Sequence, residues 1–206
     1  TPLLALLLAR EGVAVVVHGS ATEDKRVSSQ AVLAELGMGT AGPAPQVKAG
    51  EVVFMPTGAL NAGLDRLLAV RRVVGLRNPA HSLVKLMDPV DGPSLIVSSY
   101  THPEYAVSMA ATFELVGANA LLLRGTEGEP VADPRRTPQM QAFREGRRVL
   151  VQEAQAGSLA SLPDLPREID AASTAAYITS VMAGRLPLPA PIAQQVERIL
   201  LEVSVS

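Results

Sequence analysis

Cysteine and tryptophan are absent from this 206-residue chain, and aromatic residues make up only 3% of it. Without a thiol there is no disulfide, no thiolate nucleophile and no Cys-ligated zinc or iron–sulfur site. The three histidines, at positions 18, 81 and 102, make no metal-binding spacing, so any metal would fall to carboxylates. So few aromatic rings leave few platforms on which bases could stack. No run approaches the roughly 18 to 20 uninterrupted apolar residues of a membrane crossing. The apolar opening stretch is cut by Arg10 and Glu11. The N-terminus has neither the basic start nor the small-residue cleavage site of a secretory signal, so a soluble, cytoplasmic protein is expected. GxGxxG, Walker A, nucleophile-elbow and HExxH motifs are missing too, which removes the commonest dinucleotide, P-loop, hydrolase and metalloprotease chemistries. A formal net charge of -2 and a pI near 5.9 do not announce a polyanion binder, although lysine and arginine are unevenly placed.

What is present is a foldable chain: 48% apolar residues, 18% charged and a mean hydropathy of +0.23 exclude disorder, and the length suits one domain over residues 1–206. Apolar runs at Val13 to Val17, Val52 to Met55, Leu95 to Ser99 and Ala120 to Leu123 are predicted strands, each buried on both faces. Helical patterns lie between them, at Pro2 to Gly12, from Ser28 or Ser29 to Leu36, at Leu60 to Val74 and at Pro103 to Val116. Further on, Val149 to Glu153 reads as a short strand, and Arg167 to Ala183 and Pro191 to Val203 as helices, the last with Ile192, Val196, Ile199 and Val203 on one stripe. This alternation predicts an α/β fold, a mainly parallel sheet flanked by helices, with ligands gathering at the carboxyl ends of the strands.

Those strand ends hold the candidate residues. His18, Gly19 and Ser20 follow the first strand directly, a ligand-site position that a hydrogen-bonded structural histidine would also fill. Ser28 and Ser29 precede a helix, where hydroxyls and N–H groups serve a phosphate or act as caps. Arg71 interrupts the apolar stripe Leu60, Leu64, Leu67, Leu68 and Val74, either as a stem that packs beneath a snorkelling head or as a ligand-binding cation. Arg77 follows Gly75 and makes the helix end a cationic turn. After the Ala120 to Leu123 strand comes Arg124-Gly125-Thr126-Glu127-Gly128-Glu129-Pro130. Glu127 and Glu129 are placed either for a hard cation such as Mg²⁺ or for a solvated turn paired with Arg124. Arg135, Arg136, Arg144, Arg147 and Arg148 fall within a short span and raise a local positive field.

Five segments carry a resemblance: VVVHGS (Val15 to Ser20), VSSQAVLAELGM (Val27 to Met38), VRRVVGLRN (Val70 to Asn78), THPEY (Thr101 to Tyr105) and LLLRGTEG (Leu121 to Gly128). In order and spacing they resemble the anthranilate phosphoribosyltransferases, over nearly the whole chain. The stretches from Arg77 to Leu86 and from Arg124 to Pro130 resemble most a paralogous, YbiB-like group of glycosyltransferase family 3 relatives. The resemblance implies the family's C-terminal α/β portion, without its helical N-terminal subdomain and its glycine-rich GTGGD loop for phosphoribosyl pyrophosphate. The family's Lys-His-Gly-Asn stands here as Val17-His18-Gly19-Ser20, and Arg71 falls at the arginine that contacts anthranilate. The Asn-Leu-Leu-Gly-Pro stretch becomes His81-Ser82-Leu83-Val84-Lys85, and the acidic pair that binds Mg²⁺ becomes a region with Glu129 followed by Pro130 and Val131.

Loss of the phosphate cradle and of a metal carboxylate removes the positioning and electrostatic contributions on which phosphoribosyl transfer rests. The resemblance therefore implies a non-catalytic protein that binds nucleic acid without sequence preference, as a homodimer in full-length form. No catalytic residue, no cofactor and no metal site are expected under it. Ligand-binding positions carried over are His18, Gly19, Ser20, Ser28, Ser29 and Arg71. The nucleic-acid candidates are Arg71, Arg72, Arg77, Lys85, Arg135, Arg136, Arg144, Arg147 and Arg148. The alternative is a phosphoribosyl- or glycosyltransferase with an unknown acceptor, for which Mg²⁺ would be needed.

Overall fold

The computed structural model describes residues 1–22, 26–42, 46–126, 128–159 and 162–205. They form two compact units: Thr1–Val84 with Leu165–Pro187, and Lys85–Asp164 with Leu188–Ser206.

The first unit is built on two parallel strands, β1 (Val15–Gly19) and β2 (Val52–Pro56), with Val15 opposite Val52 and Gly19 opposite Pro56. Helix α1 (Pro2–Arg10) opens with Pro2, whose fixed φ suits a first helical turn, and buries Leu3, Leu4, Leu7 and Leu8. Helix α2 (Ser29–Glu35) is capped by Ser28, whose Oγ accepts from the Ala31 N–H at 3.1 Å. Ala5, Val17, Leu33 and Phe54 close a core between these elements, and α7 (Ala171–Met182) packs on α1 and α2. Each fully buried leucine there contributes about 2 kcal/mol of apolar burial.

After β2 the chain makes one turn, α3 (Thr57–Leu60), then breaks at Asn61, which is extended at φ -153°, and starts again as α4 (Ala62–Val74). The break shifts Leu60 out of phase with the helix beyond it, so the continuous stripe from Leu60 to Val74 expected from sequence does not form. Within α4 only Leu68 is buried; Leu67 and Val74 are exposed. The Asn61 side chain caps α4 by accepting from the Leu64 N–H at 2.9 Å, and Gly75 ends it in the left-handed conformation at φ 75°. Asn61→Ala is expected to cost about 1 kcal/mol and to lower hydrogen-exchange protection in the first turn of α4, as loss of an N-cap does elsewhere. Unchanged protection there would show that the cap does not hold the helix. A single turn, α5 (Ala80–Leu83), packs on α4.

The second unit carries a four-stranded sheet in the order β3 (Ile96–Tyr100), β4 (Ala120–Arg124), β5 (Met140–Arg144) and β6 (Arg147–Gln152). β3 and β4 are parallel, joined through α6 (Pro103–Val116), whereas β4–β5 and β5–β6 are antiparallel, so this sheet is mixed. Met109, Ala110 and Phe113 of α6 pack on Ala120, Leu122 and Phe143, with the Phe113 and Phe143 rings 5.3 Å apart and tilted by 52°. Helix α8 (Ala190–Val203) completes the unit. Both units are α/β, as the sequence predicts, and the predicted strand starts agree with the observed ones to within two residues.

Candidate functional site

In the first unit, β1 ends with His18 and Gly19 and runs straight into the loop that begins at Ser20. Gly19 has φ 151°, a conformation most side chains disfavour, which lets the chain turn sharply at the strand end. Two bonds then tie this loop to α4. The Ser20 hydroxyl donates to Asp65 Oδ1 at 2.6 Å, and the Arg72 guanidinium donates to the Ala21 carbonyl at 2.8 Å. Asp65 and Arg72 are seven residues apart, two helical turns, and therefore share a face of α4. Asp65 also lies against Gly58, where an added Cβ would sit 3.3 Å from its Oδ2. Beside them Thr57 is fully buried, and its hydroxyl makes no hydrogen bond among the described residues.

The far end of α4 turns at Gly75 and leads through Arg77 to Asn78, which fixes the geometry of the turn into α5. Its side-chain amide donates to the Leu67 carbonyl of α4 at 2.6 Å, and its side-chain oxygen accepts from the Ala80 N–H at 3.0 Å. His81 Nδ1 lies 3.2 Å from the Asn78 carbonyl and 3.3 Å from the Asn78 backbone nitrogen, so one tautomer donates to the first and the other accepts from the second. In either state Nε2 is buried and makes no hydrogen bond among the described residues. Burial holds the His81 pKa below its ordinary 6.5; the Asn78 backbone bond opposes this, and the Arg71 and Arg77 charges lower it further. The unfolded ring takes a proton more readily than the folded one, so His81 subtracts from stability as pH falls through 6.5.

Among the sequence candidates, the structure thus gathers Ser20, Arg71, Arg72 and Arg77 on and around one helix, with His18 and Gly19 on the strand tethered to it. Ser28 is a helix cap and Ser29 begins the helix. Asp65, Thr57 and His81 belong with this group and were not among the sequence candidates. Their signals in sequence are slight: Asp65 is an ordinary first-turn acid, and His81 sits in a turn whose course depends on Gly75 and Asn78.

The candidate cations of the second unit are mostly engaged internally. Arg135 forms a two-pronged pair with Asp133, at 2.8 Å on each prong, and that guanidinium holds the Asp133 carboxyl below the usual range. Arg144 makes a similar two-pronged contact with Glu202, at 2.8 and 2.9 Å. Arg136 donates to the carbonyls of Gln155 and Gly157. Arg147 and Arg148 are exposed on β6, with Arg147 opposite Arg144 across the hairpin turn.

Lys85 is partly buried beneath the loop after β4: its ammonium donates to the Ser99 carbonyl at 3.0 Å and lies 3.5 Å from where a Gly128 Cβ would stand. Glu127 lies outside the described residues. Glu129 is the described carboxylate of this loop, and the Lys85 ammonium is held against the Ser99 carbonyl beneath it. Among the described residues no group of three or more His, Asp or Glu is placed to hold a metal, and no helix is long and apolar enough to cross a membrane.

No protein-family model matches the chain. YbiB of Escherichia coli K12, which carries the description uncharacterized protein, is 41% identical over 195 residues, covering 92% of this chain and 60% of YbiB. Anthranilate phosphoribosyltransferase of Thermus thermophilus is 28% identical over 129 residues, covering 60% of this chain and 38% of the enzyme. The Synechococcus elongatus protein of the same name is 25% identical, covering 61% and 37%. The chain spans 60% of the length of YbiB and less of the transferases. The chain is thus a YbiB-like relative of the anthranilate phosphoribosyltransferases.

Proposed function

We propose that this chain is the α/β body of a protein that binds the phosphate backbone of nucleic acid without reading its sequence. The observation that supports this best is the gathering of Arg71, Arg72 and Arg77 at the end of α4, an exposed helix that gives only Leu68 to the core. A surface helix ending in guanidinium groups suits contact with phosphates, since each contact releases counterions and adds affinity independent of sequence. Arg147 and Arg148 supply further exposed guanidinium groups in the second unit. With aromatic residues at 3%, backbone contact outweighs base stacking as the source of affinity.

The full-length protein is expected to bind random-sequence DNA with log affinity falling linearly against log salt. Arg71→Ala and Arg77→Ala are each expected to weaken binding equally across sequences and to reduce the slope by about one unit. Variants that bind as tightly as the parent, with the same slope, would remove this helix from the interface.

A second reading is favoured by the strand-end site. His18, Gly19, the Ser20–Asp65 bond and the buried Thr57 hydroxyl stand where α/β proteins hold small ligands, and the more distant relatives are named as phosphoribosyltransferases. Under that reading the protein transfers a phosphoribosyl or other glycosyl group to an acceptor. Calorimetry with phosphoribosyl pyrophosphate and Mg²⁺ separates the two, because only the transferase gives a saturable heat.

A further inference from the structure

We infer that Ser20 and Asp65 are positioning residues for a phosphate-binding Arg72: through the loop after β1 they hold its guanidinium in place on α4 before nucleic acid arrives. This rests on the nucleic-acid reading above and adds to it two residues that act through a third. An arginine on an exposed helix samples many rotamers, and ordering it on binding subtracts from affinity. Arg72 is exposed, yet its guanidinium donates to the Ala21 carbonyl at 2.8 Å. That carbonyl belongs to a loop which is itself fastened. The neighbouring Ser20 hydroxyl donates to Asp65 Oδ1 at 2.6 Å, a charge-assisted bond. Asp65 in turn is backed by Gly58: its other oxygen, Oδ2, lies 3.3 Å from where a Gly58 Cβ would stand, a close approach that the glycine permits.

Asp65 and Arg72 stand about 10 Å apart along the axis of α4, on one face, yet they bond to adjacent loop residues. The arginine spans the gap because a long helical side chain leans toward the N-terminus of its helix. The contacts thus close a circuit, from Asp65 through Ser20 and Ala21 to Arg72 and back along two turns of α4. Both ends of the Arg72 side chain are fixed by it. A guanidinium carries five N–H donors in a planar fork, so the bond through Nη2 orients the fork without itself exhausting it. Charge alone gives the Ser20–Asp65 pair a different role: a carboxylate on this face repels a polyanion, and the uncharged Ser20 hydroxyl does nothing to phosphate affinity. The two accounts therefore differ on what removal of that hydroxyl does.

The test is a double-mutant cycle on the full-length protein, with a random-sequence oligonucleotide followed by fluorescence anisotropy at fixed salt and pH. Ser20→Ala changes no charge and is expected to weaken binding roughly twofold to tenfold, the cost of ordering one long side chain on binding instead of beforehand. In the Arg72→Ala background the same substitution is expected to change nothing, while Arg72→Ala itself lowers the salt slope by about one unit. Affinity in S20A equal to the parent's overturns the inference. So does an equal loss with and without Arg72, which would make the Ser20–Asp65 bond a tether of the fold alone, and so does an R72A protein that binds like the parent. Absence of binding by the parent overturns the nucleic-acid reading and this inference with it. A measurement on the parent guards against a variant that misfolds: without oligonucleotide, NMR of the Arg72 guanidinium is expected to show slowed rotation about its Nε–Cζ bond, and fully averaged Nη signals would contradict the assignment.

Discussion

Gly125→Ala is expected to destabilise the second unit by about 3 kcal/mol or more, at or beyond the upper end of what overpacking costs. A Cβ at this position would overlap the Glu129 carbonyl oxygen and stand 2.7 Å from Ser99 Cβ and 2.8 Å from Ser99 Oγ. None of these neighbours is the loose end of a flexible side chain. The Gly125 N–H is bound to the Tyr100 carbonyl at 3.0 Å, the Glu129 N–H to the Thr126 carbonyl at 3.0 Å, and the Ser99 hydroxyl to the Gly128 carbonyl at 3.2 Å. Relief of the overlap would therefore break the bonds that shape the loop after β4. Gly39→Ala is the matched control, since a Cβ there meets nothing within 4 Å, and its effect is expected to stay within about 1 kcal/mol. Urea denaturation of both variants checks the contrast, and equal midpoints would show that the loop after β4 is not packed as described.

Gln195→Ala is expected to cost about 2 to 5 kcal/mol, combining two orphaned buried backbone groups with a small cavity. Gln195 has no exposed surface; its Oε1 accepts from the Ala132 N–H at 2.8 Å and its Nε2 donates to the Pro130 carbonyl at 3.0 Å. One side chain thus fastens α8 to the chain leaving the β4 loop. Gln195→Leu fills the volume yet leaves both backbone groups unmet, so it is expected to recover only the cavity part of the loss. Full recovery in the leucine variant would mean that the two hydrogen bonds contribute nothing net.

The same helix shows why part of the fold was legible in the sequence and part was not. Searching α8 for apolar residues gives Ile192, Val196, Ile199 and Val203, whereas its buried positions include Ile192, Gln195, Ile199 and Glu202. The helical period was right and the face was rotated, because two inward positions are polar residues whose partners, Ala132 with Pro130 and Arg144, are remote in sequence. A hydropathy pattern cannot reveal a polar residue that is buried because it is satisfied. The β5–β6 hairpin was hidden differently. Arg144-Glu145-Gly146-Arg147-Arg148 looks like a charge run, yet Glu145 and Gly146 adopt φ 50° and 76° and turn the chain tightly. The strands of the parallel pairs were plain from their apolar runs, β-branched in β1, β2 and β3, and Ser28 starts a helix and Gly75 stops one as their chemistry predicts.

The candidate site was legible to a similar degree. His18, Gly19 and Ser20 could be placed from the strand that precedes them, and Arg71 from its conflict with an apolar stripe. What sequence could not supply was the set of cross-connections: Ser20 to Asp65 over 45 residues, Arg72 to the Ala21 carbonyl over 51, and Asn78 holding His81 against α4. Nor could it sort the arginines. Arg135 and Arg144 look as available as Arg77 in sequence, but their carboxylate partners already hold both prongs of each guanidinium.

The proposed role stands or falls most directly on a salt titration of the full-length protein with random-sequence DNA. A phosphate-contacting surface that includes Arg71, Arg72 and Arg77 predicts a straight fall of log affinity against log salt, with a slope near -0.9 for each phosphate neutralised. Affinity that does not move with salt, or no binding at low salt, would contradict it.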